Sequence, residues 1–224
     1  MGSPILVLDA ASPVVSIAAA EGGRVLAERT TELRRSSERL LRLVEEVLDE
    51  AGIGLGDLAG AAALQGPGSF TGLRIALATV LGFHQALGVP AAALPTLPVI
   101  AAAAAADGGT VHAAVDAMRG DWTVQSFRVA PGEPGFPEPL AAAELRPGTE
   151  LDDLAPGRLA GFGIRRLTET AAIELVEPPP LAPVAARIAS LEPPPWDPAG
   201  LTRPIYFRPP AVTLPRPPVS GAAS

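Results

Sequence analysis

Residues 4–29, PILVLDAASPVVSIAAAEGGRVLAER, decide how this chain begins to fold. Ile5 to Leu8 reads as a strand that stops at the turn formers Asp9-Ala10-Ala11-Ser12-Pro13. Val14 to Ala20 reads as a second strand, Glu21-Gly22-Gly23 as a tight turn, and Arg24 to Arg29 as a third strand. Three successive strands joined by hairpins open a mixed sheet. A Rossmann unit starts strand-helix-strand and does not fit.

Downstream, residues 36–51 have helical spacing, with Ser36 or Ser37 as N-cap, Glu38 in the first turn and Gly52 as terminator. Leu40, Leu41, Leu43, Val44, Val47, Leu48 and Ala51 spread over an arc of about 160° at 100° per residue. One core-facing stripe needs little more than ~100°, so the surplus allows a second contact surface or a deeper seat in the same domain. A strand near Ala59 to Leu64 leads into Gln65-Gly66-Pro67-Gly68-Ser69-Phe70-Thr71-Gly72. A helix to Leu87 follows, apolar nearly all round, as in a helix buried in a core or between subunits. Val89 to Leu94 reads as the next strand.

A second unit opens with Val111 to Ala117 and Thr123 to Val129, a hairpin around Arg119-Gly120. After it the sequence predicts a loop-rich region with a weak helix at 131–157, a strand at Leu159 to Ile164 and a short helix at Leu181 to Leu191. Chain order thus divides into an N-terminal lobe at 1–107, a C-terminal lobe at 108–208 and a proline-rich tail at 209–224, expected to be extended or disordered. No repeat is visible in the letters, although two lobes that each open with hairpin strands suit an ancient duplication.

Composition narrows the function. Hydrophobic residues make up 48% of the 224, but many are alanine, which buries little area, so a partner surface is a plausible source of further stability. Net charge −7 argues against independent binding to a phosphate backbone, which needs several cationic contacts. All 17 basic residues are arginine, and cysteine is absent, which removes disulfides and thiolate metal sites. No signal peptide pattern or membrane span is read, so a soluble cytoplasmic protein is expected.

The chemistry-bearing segments are thin. Glycine-proline-glycine before a helix exposes backbone N–H groups where an anion can bind, with Ser69 and Thr71 as caps or phosphate contacts. It is not a Walker A loop, and a tight strand-to-helix turn capped by Ser69 is the favoured account. Asp9 with Ser12 offers one carboxylate and one hydroxyl, a sparse phosphate site or simply a turn cap. His84 and His112 stand alone, without metal-binding spacing, and His84 on an apolar helix reads as a hydrogen-bonded core residue. Asp116 and Arg119 could reach an interlobe cleft or form a surface ion pair.

Taken in order, five segments resemble the TsaB family. They are Ile5-Leu6-Val7-Leu8-Asp9-Ala10-Ala11-Ser12, Arg35-Ser36-Ser37-Glu38-Arg39-Leu40-Leu41, Gly66-Pro67-Gly68-Ser69-Phe70-Thr71-Gly72-Leu73-Arg74-Ile75, Asp116-Ala117-Met118-Arg119-Gly120 and Pro204-Ile205-Tyr206-Phe207-Arg208. The third is the specific one. Ser36 departs from the family's usual histidine, and Ala10 from its usual threonine. The resemblance implies an α/β, two-lobed actin-like ATPase fold (the sugar kinase, Hsp70 and actin class, ASKHA) with mixed sheets. It also implies a non-catalytic dimerisation subunit of the machinery that makes N6-threonylcarbamoyladenosine in tRNA, bound to the catalytic subunit TsaD and joined by the ATPase TsaE. Self-association when alone stays open.

On that reading Ser37, Leu41, Val44, Leu48, Arg74, Leu77 and Leu81 form the partner surface. Asp9, Ser12, Gly66, Gly68 and Ser69 are a vestigial cofactor site, with no catalytic residue, no metal ligand and no cofactor of the chain's own. ATP and Mg would then belong to partner subunits or the complex interface. The alternatives are an autonomous ATPase or small-molecule kinase using Asp9, Ser12 and residues 66–72, and, less favoured by the two lone histidines, a metallopeptidase.

Overall fold

The structure, a computed structural model, describes residues 3–32, 36–132, 134–167 and 172–207. The expected cap residues Ser36 and Ser37 begin a helix, but their side chains lie outside the described residues, as does the predicted tail.

The three opening strands form as the sequence predicts: β1 (Ile5–Asp9), β2 (Val14–Glu21) and β3 (Arg24–Glu32), paired antiparallel. Helix α1 (Ser36–Ala51) then crosses over to β4 (Gly60–Gly66), which lies parallel to β1. Helix α2 (Phe70–Leu87) crosses to β5 (Ala91–Pro95), parallel to β4. The sheet order is β3-β2-β1-β4-β5.

Helix α3 (Thr96–Ala104) leads to β6 (Gly109–Asp116) and β7 (Asp121–Val129), an antiparallel hairpin. Two short strands, β8 (Glu138–Pro139) and β9 (Glu144–Pro147), pair with the far edge of β7. On the other side β10 (Gly157–Ala160) joins β6 in parallel, and β11 (Ile173–Val176) joins β10. The second sheet therefore repeats the first: hairpin strands on one side of a central strand, parallel strands on the other. The duplication hidden in the letters is plain in the topology.

Sequence reasoning missed α3, where Pro98 sits in the first turn and needs no helical N–H donor. It also missed β11, and it read short strands and a 3-10 turn at Gly148–Asp153 as loop with a weak helix. The 36–51 helix and the second hairpin stand where periodicity placed them.

Helix α4 (Leu181–Leu191) returns to the first sheet, packing on β1 and β2, although chain order assigns it to the second lobe. Its buried Leu181, Ala182, Ala185 and Ala189 need an apolar floor, and the alanine-rich middle of β2 supplies one at close range. The Ser16 hydroxyl accepts from Ala182 N at 3.0 Å and fixes the helix start. The first sheet is thus sandwiched: α1 and α2 cover one face, α4 the other. Leu6, Leu8, Ile17, Leu40, Leu64, Leu73 and Leu77 are buried in this sandwich, each stabilising the fold by roughly 1.5–3 kcal/mol.

Residues beyond α4 form a strap across the first lobe. Trp196 lies flat against Gly60, where an added Cβ would stand 2.2 Å from the ring, so only glycine fits. Gln65 Nε2 donates to the carbonyls of Gly200 (3.1 Å) and Arg203 (2.7 Å), and Ile205 N donates to Gln65 O (2.8 Å). The strap delivers Tyr206 to the start of α2.

Candidate functional sites: an outer helix face and an interlobe cleft

Helices α1 and α2 run side by side on the outside of the first sheet. Gly52, with φ 69°, ends α1 in the left-handed conformation, and Gly88, with φ 71°, does the same for α2. Arg29 on β3 reaches Glu46 (3.7 Å) and Glu50 of α1, pinning the helix to the sheet edge. The inward stripe of α1 is Leu40, Val44, Val47 and Leu48; that of α2 is Leu73, Ala76, Leu77 and Val80.

Three predicted contact residues therefore have to be reassigned. Val44, Leu48 and Leu77 are 2%, 6% and 2% exposed and belong to the core, because the wide apolar arc of α1 is mostly consumed by the sheet beneath it. Leu41, 59% exposed, does face outward, as does Arg74, while Leu81 is half-buried. Ser37 lies in α1 with its side chain outside the described residues. Of the small residues of α2, Ala78, Gly82 and Ala86 are exposed while Gly72 and Ala76 are buried, and nothing stands within 4 Å of a Cβ built on Gly82. The outer sides of the two helices therefore combine exposed large apolar side chains, Leu41 on α1 and Phe70 and Leu87 on α2, with small residues that let another backbone come close. At its N-terminal end Arg74 stacks on Phe70, guanidinium 3.8 Å from the ring centre, and Phe70 in turn packs on Tyr206 at 5.2 Å. Such cation–π contacts contribute ~0.5–1 kcal/mol at exposed sites and hold the arginine in one orientation.

The second site is a cleft of about 760 Å³ between the lobes, lined by the β1–β2 turn, the Pro67–Phe70 loop, α3, the β6–β7 hairpin and the strap. Of the five predicted cofactor residues, Ser12, Gly68 and Ser69 line it; Asp9 and Gly66 lie behind its wall. Asp9 is fully buried, its Oδ1 accepting from Ala11 N (2.8 Å) and Ser12 N (3.2 Å), with no hydrogen bond to Oδ2. Burial pushes its carboxyl up to about 6, against the opposing pull of the Ser12 side chain and the two backbone N–H groups. The Ser12 hydroxyl is buried too, and Asp9 is the group it acts on.

The glycine-proline-glycine loop packs tightly on the β1–β2 turn. Gly68 presses on the Ala11 carbonyl so closely that a Cβ would sit 2.4 Å from it, and Ser69 N donates to that carbonyl at 2.8 Å. The Ser69 hydroxyl caps α2 by accepting from Gly72 N (3.2 Å), as one of the sequence readings expects. Gly66 N donates to Thr96 Oγ1 at 3.1 Å. These residues close a strand-to-helix turn, and Pro67, Gly68 and Ser69 line the cleft from it.

Across the cleft, Asp116 and Arg119 both line the wall, but they do not pair with each other. Asp116 accepts from Met118 N (2.7 Å) and from Arg166 Nη2 (2.6 Å), and Arg166 stacks on Trp122 at 4.7 Å. The hairpin tip holds Met118 and Arg119 at φ 67° and 60°, a left-handed pair of non-glycine residues that costs roughly 1–2 kcal/mol each. His112 is buried, with Nδ1 2.8 Å from Ser126 Oγ and Nε2 2.8 Å from Ala155 O, and burial lowers its pKa. His84 Nδ1 lies 3.0 Å from Val89 O, the hydrogen-bonded role expected of it. Among the described residues no three His, Asp or Glu side chains gather as metal ligands would, and no helix is long and apolar enough to cross a membrane.

Two sheets of one topology around a shared cleft, the first led by hairpins and flanked on both faces by helices, define a two-lobed actin-like ATPase fold. Residues 24–131 match the family model described as TsaD, tRNA N6-adenosine threonylcarbamoyltransferase. Over 207 residues, 90% of this chain and 93% of the relative, it is 32% identical to the uncharacterized protein Rv3421c of Mycobacterium tuberculosis. It is 34% identical over 119 residues to the Escherichia coli tRNA threonylcarbamoyladenosine biosynthesis protein TsaB, 52% of each chain. The chain thus spans about half the length of the curated TsaB relatives it matches. Among solved structures, YeaZ from Pseudomonas aeruginosa superposes with a TM-score of 0.68 at 27% identity, covering 83% of this chain and 90% of that one. The chain belongs to the TsaB family.

Proposed function

We propose that this chain is a non-catalytic subunit that binds a TsaD-like catalytic subunit and activates or stabilises it in threonylcarbamoylation of tRNA adenosine-37. The observation that carries the reading is the outer side of the packed pair α1 and α2, which exposes Leu41 (59%) on one helix and Leu87 with the small residues Ala78 and Gly82 on the other. Small residues allow close helix approach, and a stacked, oriented arginine is a residue type that concentrates binding energy, with the exposed leucines adding apolar area. A partner built on the same fold would present an equivalent helix pair, and four helices would then close a shared apolar layer. The acidic balance of the chain, net −7, fits a subunit that leaves the gripping of tRNA to others. In this assembly a TsaE-like ATPase joins the pair, and ATP and Mg belong to those partners or to their interface.

Deletion of the coding sequence, followed by nucleoside mass spectrometry of bulk tRNA, tests the reading. Loss of N6-threonylcarbamoyladenosine, restored by the intact chain, is expected. An unchanged level of the nucleoside contradicts it.

A further inference from the structure

The interlobe cleft has no part in the partner reading, yet its volume of about 760 Å³ lies in the range of small-molecule sites. Much of its wall is apolar, with the rings of Phe70, Phe162, Tyr206 and Phe207 beside Ile100 and Val115. Most polar side chains of the lining are committed to the fold. Ser69 Oγ accepts from Gly72 N, Thr96 Oγ1 accepts from Gly66 N, and the buried Ser12 hydroxyl acts on Asp9. A ligand rich in hydroxyls would lose water there and find few side chains to replace it.

Two charged residues line the cleft, Asp116 and Arg119, and they differ. Both oxygens of Asp116 are engaged, Oδ1 by Met118 N at 2.7 Å and Oδ2 by Arg166 Nη2 at 2.6 Å, so its charge is already met. Arg119 is exposed at the hairpin tip and has no salt-bridge partner among the described residues. Its guanidinium is always charged and offers a planar fork of donors that matches a carboxylate or sulfonate. Aromatic walls favour a ligand with rings of its own, which pack offset or edge-on against them. We propose that the cleft binds a small aromatic monoanion, its rings against Phe162, Tyr206 and Phe207 and its acid group on Arg119. The charge complementarity is local: one unanswered cation beside an apolar trough selects one acid group on an apolar body. This inference does not depend on the partner reading, which concerns the outer side of α1 and α2.

Fluorescence titration of the full-length chain tests it with two probes, anilinonaphthalene sulfonate and its uncharged counterpart phenylnaphthylamine. The parent should bind the sulfonate saturably at one site per chain. Arg119→Gln, at an exposed position, should weaken the sulfonate about tenfold and leave the neutral amine unchanged, whereas Arg119→Lys should keep most of the sulfonate affinity. Ala117→Trp, which fills the cleft from its hairpin wall, should weaken both probes, with circular dichroism checking that each variant keeps the parent's fold. Absence of saturable binding overturns the proposal. So does an Arg119→Gln variant that binds the sulfonate as the parent does, or that loses both probes equally. Binding that survives in a folded Ala117→Trp variant overturns it as well, because the probe would then lie outside the cleft.

Discussion

The outer helix face and the interlobe cleft differ in kind. The outer side of α1 and α2 exposes Leu41, Leu87 and small residues, among charges of which Arg42 pairs with Glu46 and Arg74 lies on Phe70. The cleft is apolar over much of its wall too, but it sits beside a buried carboxylate, Asp9, whose Oδ2 has no hydrogen bond. Surface of the first kind gains by excluding water against another protein; buried polar groups of the second kind cost stability unless something meets them. In this molecule the face suited to association and the region that could host chemistry are separate, and they make separate predictions.

The largest expected effect comes from crossing the boundary between the inner and outer sides of α1. Val44, 2% exposed, points into the sheet, so Val44→Asp places an unpaired charge in the core. The cost is above about 4 kcal/mol, a large part of a typical domain's stability. Chemical denaturation followed by circular dichroism should find the variant unfolded or close to it. A native-like transition would mean that Val44 faces outward after all.

A middle-sized effect belongs to Asp9. Between its ordinary value of 3.8 and about 6, the folded chain holds a proton that the unfolded chain releases, so stability falls as pH rises through that window. The displacement corresponds to about 3 kcal/mol lost by neutral pH. Asp9→Asn keeps an acceptor for the Ala11 and Ser12 N–H groups while removing the buried charge. Guanidinium melts should find it more stable than the parent by roughly 1–3 kcal/mol at pH 7.5, with the gain shrinking towards pH 4. A gain that does not vary with pH would mean that the carboxyl is not protonated on folding.

The smallest effect on folding is expected at Leu41. Exposed and outward, it should tolerate Leu41→Asp with a change under about 1 kcal/mol, mostly helix propensity. A loss as large as that of Val44→Asp would erase the distinction between the two sides of the helix.

Much of the fold was legible because its signals are local. The opening strands end at turn formers, α1 ends at Gly52, and the second hairpin turns at Gly120, each a residue with a definite backbone preference. Helix α3 was hidden because Pro98 looks like a breaker and its alanines give no polar stripe. Strands of two to four residues, such as β8 and β11, are too short for alternation to register. The sites were harder. Spacing identified an apolar arc on α1 but not which part of it the sheet would cover, so Val44 and Leu48 were assigned to the surface while only Leu41 reaches it. The stack of Tyr206, Phe70 and Arg74 joins the C-terminal strap to α2, and Gln65 ties the same strap to β4, contacts between distant segments that local spacing does not signal.

Association with the partner is the most direct test. Sedimentation velocity of the purified chain mixed with the TsaD-type subunit of the same organism, for the parent and for Leu41→Asp, reads the outer face alone. A heavier complex with the parent and two separate species with the folded variant is the predicted result. Equal complex formation by both chains, or none by the parent, would contradict it.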